Sequence, residues 1–316
     1  LADIHAAAER IRPHVHRTPL LSSRSLGEVA GGAAVYLKCE SFQKTGSFKP
    51  RGALNKVLSL SGEERGRGLV TVSAGNHAQA VAWAARRTGV PAAVVMPAKA
   101  PASKVAAVRG YGARIVFHDD NATLFDRLRL LQEETGYVFV HPFDDPVVLA
   151  GAGTAGLEIV EDLPEVSVVV VPVGGGGLMA GVASAVRRLR PQARVHAVEL
   201  AEGPGLAPAL AAGKPVPVGR PARTLADGLI PPFVGALPLE IARENLQSVI
   251  AISEDAIADA MRFLATRAKV WAEGAGAAAT AALLSGAVPV EKSDTVAILV
   301  SGGNVDPERF PVTPAA

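Results

Sequence analysis

Val166-Ser167-Val168-Val169-Val170-Val171-Pro172-Val173 runs directly into Gly174-Gly175-Gly176-Gly177, and Leu178-Met179-Ala180 then opens a segment of helical spacing. An unbroken β-branched run that stops at glycine is the pattern of a strand buried on both faces, as parallel strands are. The unit recurs outward in both directions. Further candidate strands lie at 35–39, 69–72, 93–96, 114–117, 138–140, 195–199, 248–252 and 296–300. Helical patterns fill the intervals, among them 77–88, 103–111, 121–135, 177–190 and 254–267. Strands alternating with helices predict an α/β fold with open, doubly wound, mostly parallel sheets covered by helices on both faces. The stretch 68–144 holds four short strands and reads as a small α/β domain inserted into a larger one made of 1–67 and 145–316. A ligand is expected in the cleft between the two.

The chain has 316 residues, of which 49% are hydrophobic, enough for a large core without covalent staples. No apolar run approaches the roughly 20 residues that cross a bilayer, and the first residues carry no signal-peptide pattern. The missing initiator methionine suggests trimming or an incomplete chain. A net charge of +2 argues against a polyanion partner. The densest basic group, Arg187, Arg188 and Arg190, has no interleaved aromatics and reads as the solvated end of a helix. The single cysteine, Cys39, excludes an internal disulfide and a cysteine-rich metal site. It reads as a buried, inert thiol in a cytoplasmic protein. The proline-rich stretch 214–223 reads as a loop.

Glycine between a strand and a helix lets bare backbone approach an anion, and the free N–H groups with the helix dipole hold a phosphate. Four consecutive glycines exceed what a tight turn needs. Two phosphate ligands compete for this loop. Gly175-x-Gly177-x-x-Ala180 satisfies a dinucleotide fingerprint, and Glu199 stands where a ribose-binding acid belongs, so a nicotinamide or flavin enzyme is one reading.

Three further segments bear on the choice. In Ser47-Phe48-Lys49-Pro50-Arg51-Gly52-Ala53, a lysine follows Phe48 and precedes a Pro-Arg-Gly turn. It could be an incidental surface lysine. It could also be an amine in an apolar pocket, where desolvation lowers its pKa and frees it to attack a carbonyl. Ser73-Ala74-Gly75-Asn76-His77-Ala78-Gln79 follows a strand and opens a helix. It offers donors to a carboxylate or phenolate, or a plain N-cap from Ser73 or Asn76. Ser301-Gly302-Gly303-Asn304 follows the last strand. There a hydroxyl points into the crevice where α/β ligands bind, or is satisfied by backbone.

A lysine for an imine, a glycine loop for a phosphate, an amide for a ring oxygen and a neutral hydroxyl for a ring nitrogen suit one cofactor, pyridoxal 5'-phosphate. With these motifs the sequence resembles the fold-type II pyridoxal-phosphate enzymes, and within them the serine/threonine dehydratase–serine racemase family. Arg17-Thr18-Pro19-Leu20, Lys38-Cys39-Glu40, His141-Pro142-Phe143-Asp144-Asp145-Pro146, Ala226-Asp227-Gly228 and Glu273-Gly274-Ala275-Gly276-Ala277 also match, so the resemblance spans nearly the whole chain.

The resemblance implies that Lys49 is the Schiff-base residue and moves the α-proton, and that Phe48 lies against the ring. It implies that Asn76 bonds the ring hydroxyl, that Gly174, Gly175, Gly176, Gly177 and Leu178 cradle the phosphate, and that Ser301 meets the pyridine nitrogen. Ser73, Ala74, Gly75 and His77 would form the loop that receives the substrate carboxylate. The expected reaction is elimination from a β-hydroxy amino acid, L-threonine or L-serine, to a 2-oxo acid and ammonia, in a homodimer.

Departures from the family pattern refine the expectation. Serine racemases usually carry a second serine where this chain has Ala74, and that serine reprotonates the opposite face; alanine cannot, which favours elimination. Racemase-like members bind a divalent cation after the strand ending at Glu199. The downstream acid is missing here, so no metal is expected, and Glu199 reads as a surface residue or a salt-bridge partner. The usual Gly-Gln-Gly-Thr reads Gly151-Ala152-Gly153-Thr154, which could alter the domain contact or the pocket rim. The chain ends soon after Phe310, so feedback inhibition by isoleucine through a C-terminal regulatory domain is not expected.

Overall fold

The computed structural model describes residues 1–219, 221 and 223–312. Among the described residues, ten strands form two sheets: β1 Leu20–Ser22, β2 Ala34–Cys39, β3 Leu69–Val72, β4 Ala92–Pro97, β5 Arg114–His118, β6 Val138–Phe139, β7 Val168–Pro172, β8 Arg194–Leu200, β9 Ser248–Ile252 and β10 Thr295–Val300. The six-stranded sheet has the order β1-β2-β10-β7-β8-β9, and the four-stranded sheet the order β5-β4-β3-β6. Every pairing is parallel except that of β1 with β2. The α/β reading therefore holds.

Strand β7 explains why the pattern is legible. All five of its residues are buried, because helices cover both faces of its sheet. On one face Val168 and Val170 pack with Ile298 and the helix Gly274–Leu284. On the other, Val169 and Val171 pack with the helices Pro146–Asp162 and Gly177–Leu189. The smaller sheet is covered likewise, with Val94 and Leu69 facing one layer and Val70 and Val95 the other.

Several elements depart from expectation. Strand β1 was not anticipated. The helical pattern at 254–267 is an α-helix only over Glu254–Phe263 and continues as a π-turn over Leu264–Ala268. The segment 121–135 starts with the 3-10 turn Asn121–Thr123 before its α-helix, Leu124–Thr135. The Pro-Arg-Gly sequence after Lys49 is no turn. It is the first turn of the helix Lys49–Ser59, where proline is tolerated because its missing N–H has no intrahelical partner to lose. Of the loop 214–223, Arg220 and Ala222 lie outside the described residues. Arg188 and Arg190 are exposed at the end of the helix Gly177–Leu189, as expected. Among the described residues, no helix is long and apolar enough to cross a membrane.

Candidate active site

In open α/β sheets the carboxyl ends of the strands face the ligand crevice. Strand β10 lies between β2 and β7, so the segments that follow these three strands are neighbours. An antiparallel bridge from Ser47 to Gly302, and the bond from Phe48 N–H to Ser301 O at 3.0 Å, join the lysine segment to the end of β10.

Lys49 opens its helix with Nζ donating to the carbonyl of Pro142 at 2.8 Å and standing 5.0 Å from the centre of the Phe48 ring. Burial pulls its pKa down to about 8, although the charge of Glu273 pulls it back up. A substantial fraction of the amine is therefore neutral near physiological pH, as a nucleophile requires. The surface-turn alternative fails on this geometry.

The glycine loop follows β7. Gly176 has φ +94, a left-handed conformation that glycine adopts without steric cost. A Cβ on Gly175 would sit 2.2 Å from the ring of Phe143, and one on Gly174 would sit 2.6 Å from Gly228 O. The N–H groups of Gly174 through Leu178 donate to no protein acceptor among the described residues. They stand at the start of a 13-residue helix, a cradle that fits a phosphate.

Glu199 corrects two expectations at once. It is neither at the surface nor in a salt bridge: it is 2% exposed and accepts from the N–H groups of Gly205 at 2.9 Å, Leu206 at 2.7 Å and Ala207 at 3.3 Å. The carboxylate caps the helix Leu206–Ala212. Occupied in this way, it does not serve a ribose, and the dinucleotide reading loses its acid. No group of three or more potential metal ligands occurs among the described residues.

After β3, the helix Asn76–Thr88 begins with Gly75 as its N-cap and no side-chain cap. Ser73 Oγ accepts from Gly75 N–H at 3.1 Å, bracing the turn ahead of the helix. Asn76 points elsewhere: its Nδ2 donates to Glu273 at 2.6 Å, and its Oδ1 accepts from Asn304 at 2.8 Å. His77 turns into the protein and donates from Nε2 to Val140 O at 3.0 Å, while its buried Nδ1 has no hydrogen-bond partner. Burial, together with the charge of Lys49, lowers its pKa to about 3, which keeps it neutral. Ser301, 5% exposed, donates to Ala275 O at 3.3 Å. Backbone thus satisfies it, through a long bond that leaves its lone pairs available.

Glu273, Asn304, Lys104 and Asp227 carry no role legible in the sequence, although three of the four lie within its motifs. Glu273 is 4% exposed, and burial first, then Asp227, pushes its carboxyl up to about 7. Lys104 pairs with Asp227 at 2.8 Å. A buried ionic cluster behind the site is likewise not legible in the sequence. Arg51 reaches both oxygens of Glu40 and both of Glu158 at 2.7–2.8 Å, and Lys38 meets Glu158 at 2.6 Å.

The comparisons agree with this geometry. A family model described as pyridoxal-phosphate dependent enzyme matches residues 11–302. An L-threonine ammonia-lyase of Thermotoga maritima is 49% identical over 312 residues, covering 97% of this chain and 76% of that protein. A solved structure of a threonine deaminase from T.th. superposes with a TM-score of 0.90 at 44% identity, over 97% of this chain and 98% of that one. The structure of maize serine racemase superposes with a TM-score of 0.92 at 40% identity, over 97% and 94%. The chain is therefore a fold-type II enzyme that uses pyridoxal phosphate. Within that class it belongs to the threonine dehydratase–serine racemase family.

Proposed function

We propose that this enzyme dehydrates and deaminates a β-hydroxy amino acid, L-threonine or L-serine, to a 2-oxo acid and ammonia. The observation that carries the choice is Ala74, a methyl group in the loop ahead of the helix Asn76–Thr88, where a racemase needs a second proton donor. The 49% identity to an L-threonine ammonia-lyase supports the same choice. We also take 68–144 as a small domain inserted between 1–67 and 145–316, with the site in the cleft.

Pyridoxal phosphate, when bound, supplies a carbonyl for the amine and an electron sink for charge developing at Cα. Five N–H groups, from Gly174 to Leu178, would hold its phosphate, and Phe48 would lie against the ring. Asn76 would donate to the ring hydroxyl. Ser301 would meet the pyridine nitrogen as a neutral group, which would limit protonation there and favour loss of a β-substituent. Ser73, Ala74 and Gly75, with the start of the helix behind them, receive the substrate carboxylate. His77 braces that loop from below through Val140 O. Lys49 carries the proton at Cα; its depressed pKa, about 8, lets it accept and return a proton near neutrality.

The test is product analysis with the holoenzyme. L-threonine and L-serine should yield ammonia and 2-oxo acid in equal amounts. D-serine accumulating faster than ammonia would instead establish a racemase, and no release from any β-hydroxy amino acid would overturn the reading.

A further inference from the structure

Glu273 is buried against the site, yet the reaction described above gives it no task. Its carboxylate lies over the backbone of Gly302: a Cβ on Gly302 would come within 2.3 Å of Glu273 Oε1 and 3.3 Å of Asn76 Nδ2. The glycine next to Ser301 thus leaves room for an acid in contact with Asn76. The backbone fixes this acid in place, since Glu273 N–H donates to Gly302 O at 3.1 Å.

The hydrogen bonds from this acid run in one direction. The carbonyl of Thr45 can only accept, so Asn304, which donates to it at 2.7 Å, must turn its NH2 group that way. The same NH2 donates to Asn76 Oδ1 at 2.8 Å. At the other end, the Glu273 carboxylate accepts one N–H of Asn76 at 2.6 Å. Asn76 is held at both its oxygen and its nitrogen, and its second N–H is left to meet a ligand. An amide free to flip would present its oxygen half the time, and an oxygen repels a phenolate. A bond from Asn76 to the Glu273 carboxyl oxygen removes that ambiguity.

We propose that Glu273 is a positioning residue for the cofactor. By fixing the Asn76 amide, it aims the remaining N–H at the ring hydroxyl. The inference rests on the role proposed above for Asn76. The charged groups facing Glu273 from other elements are Asp227, Lys104, Arg309 and Lys49. Of these, Lys104 and Arg309 also engage Asp227, so they are shared rather than dedicated to Glu273.

The experiment compares wild type, Glu273→Ala, Glu273→Gln, Asn304→Ala and Asn76→Ala. Each is measured as apo protein titrated with pyridoxal phosphate and as holoenzyme, by the pH dependence of the bound cofactor's absorption. Glu273→Ala should weaken cofactor binding about tenfold or more and shift the absorption titration. Glu273→Gln, which keeps an acceptor for Asn76, should recover most of the affinity. Asn304→Ala, which frees the other end of the amide, should shift the titration in the same sense. In the Asn76→Ala background, Glu273→Ala should add little. If Glu273→Ala binds the cofactor within twofold of wild type with an unmoved titration, or if its effect persists undiminished without Asn76, the inference is overturned. If Asn76→Ala alone changes neither binding nor absorption, the role given to Asn76 is what fails. Should Glu273→Ala not fold, Glu273→Leu, which removes the acceptor for Asn76 but keeps the volume, takes its place: cofactor binding within twofold of wild type with an unmoved titration would overturn the inference.

Discussion

At Lys49 two opposing influences meet. Burial lowers the pKa of the amine and the charge of Glu273 raises it, leaving it near 8. The amine is neutral often enough to attack a carbonyl and still basic enough to take a proton from carbon. Borohydride treatment of the holoenzyme should fix the cofactor covalently at Lys49. In Lys49→Ala that label should be absent and elimination should fall by at least about a thousandfold; peptide mapping and ammonia release check the two halves. At Ala74 the expectation runs the other way. Ala74→Ser restores a hydroxyl where racemases use one, so D-serine should appear from L-serine while ammonia release falls. Chiral chromatography reads this directly, and an unchanged product ratio would detach Ala74 from the choice of reaction.

The glycine loop and the helix Lys49–Ser59 show how elements hold the site. The loop can lie against Phe143 only because Gly175 lacks a side chain. Gly175→Ala should leave the fold intact but displace the loop, weakening pyridoxal phosphate binding at least about tenfold, as a titration of apo protein would show. On the buried face of that helix, Arg51 is completely buried between Glu40 and Glu158. Burial disfavours its charge, yet the two carboxylates outweigh this and hold its pKa above the ordinary value. The same contact holds the Glu40 carboxyl below the ordinary value, despite burial that pushes it up. Removing one member of such a cluster strands the others without water or a partner. Arg51→Met should therefore cost about 3–5 kcal/mol in denaturant unfolding. Arg51→Lys should recover little, since a single ammonium cannot satisfy both oxygens of two carboxylates.

For the whole molecule, the imidazoles set the acid limit. Burial lowers His77 to about 3 and His141 to about 4, from an ordinary 6.5, and lowers His196 as well. Below pH 6.5 the unfolded chain takes up protons at these three imidazoles that the folded protein refuses, so stability falls as the pH drops. Glu40, held below its ordinary range, acts in the same sense at lower pH. Glu273 acts oppositely: its carboxyl is raised to about 7, so the folded protein holds one proton more between its ordinary 4.5 and about 7. Three imidazoles against one carboxyl leave a net loss toward acid. The thermal midpoint of the apo protein should be lower at pH 5 than at pH 7, and His77→Gln should narrow the difference. A midpoint equal or higher at pH 5 would contradict this balance.

The α/β class, nine of the ten strands and the segments that converge on the site are legible in local residue patterns. Parallel strands buried on both faces need continuous apolar runs, and a backbone phosphate cradle needs glycine; both are local requirements written as local patterns. Strand β1 escaped because Leu20-Leu21-Ser22 has no period of its own and becomes a strand only by pairing with β2. The partners of the buried polar groups are set by the fold. Glu199 reads as an exposed acid or a ribose ligand until the chain folds a helix N-terminus onto it. Arg51 and Glu158 stand 107 residues apart, and Asn76 and Glu273 197 apart. Whether such a pair stabilises depends on contact geometry outweighing the cost of desolvation, which no spacing along the chain encodes.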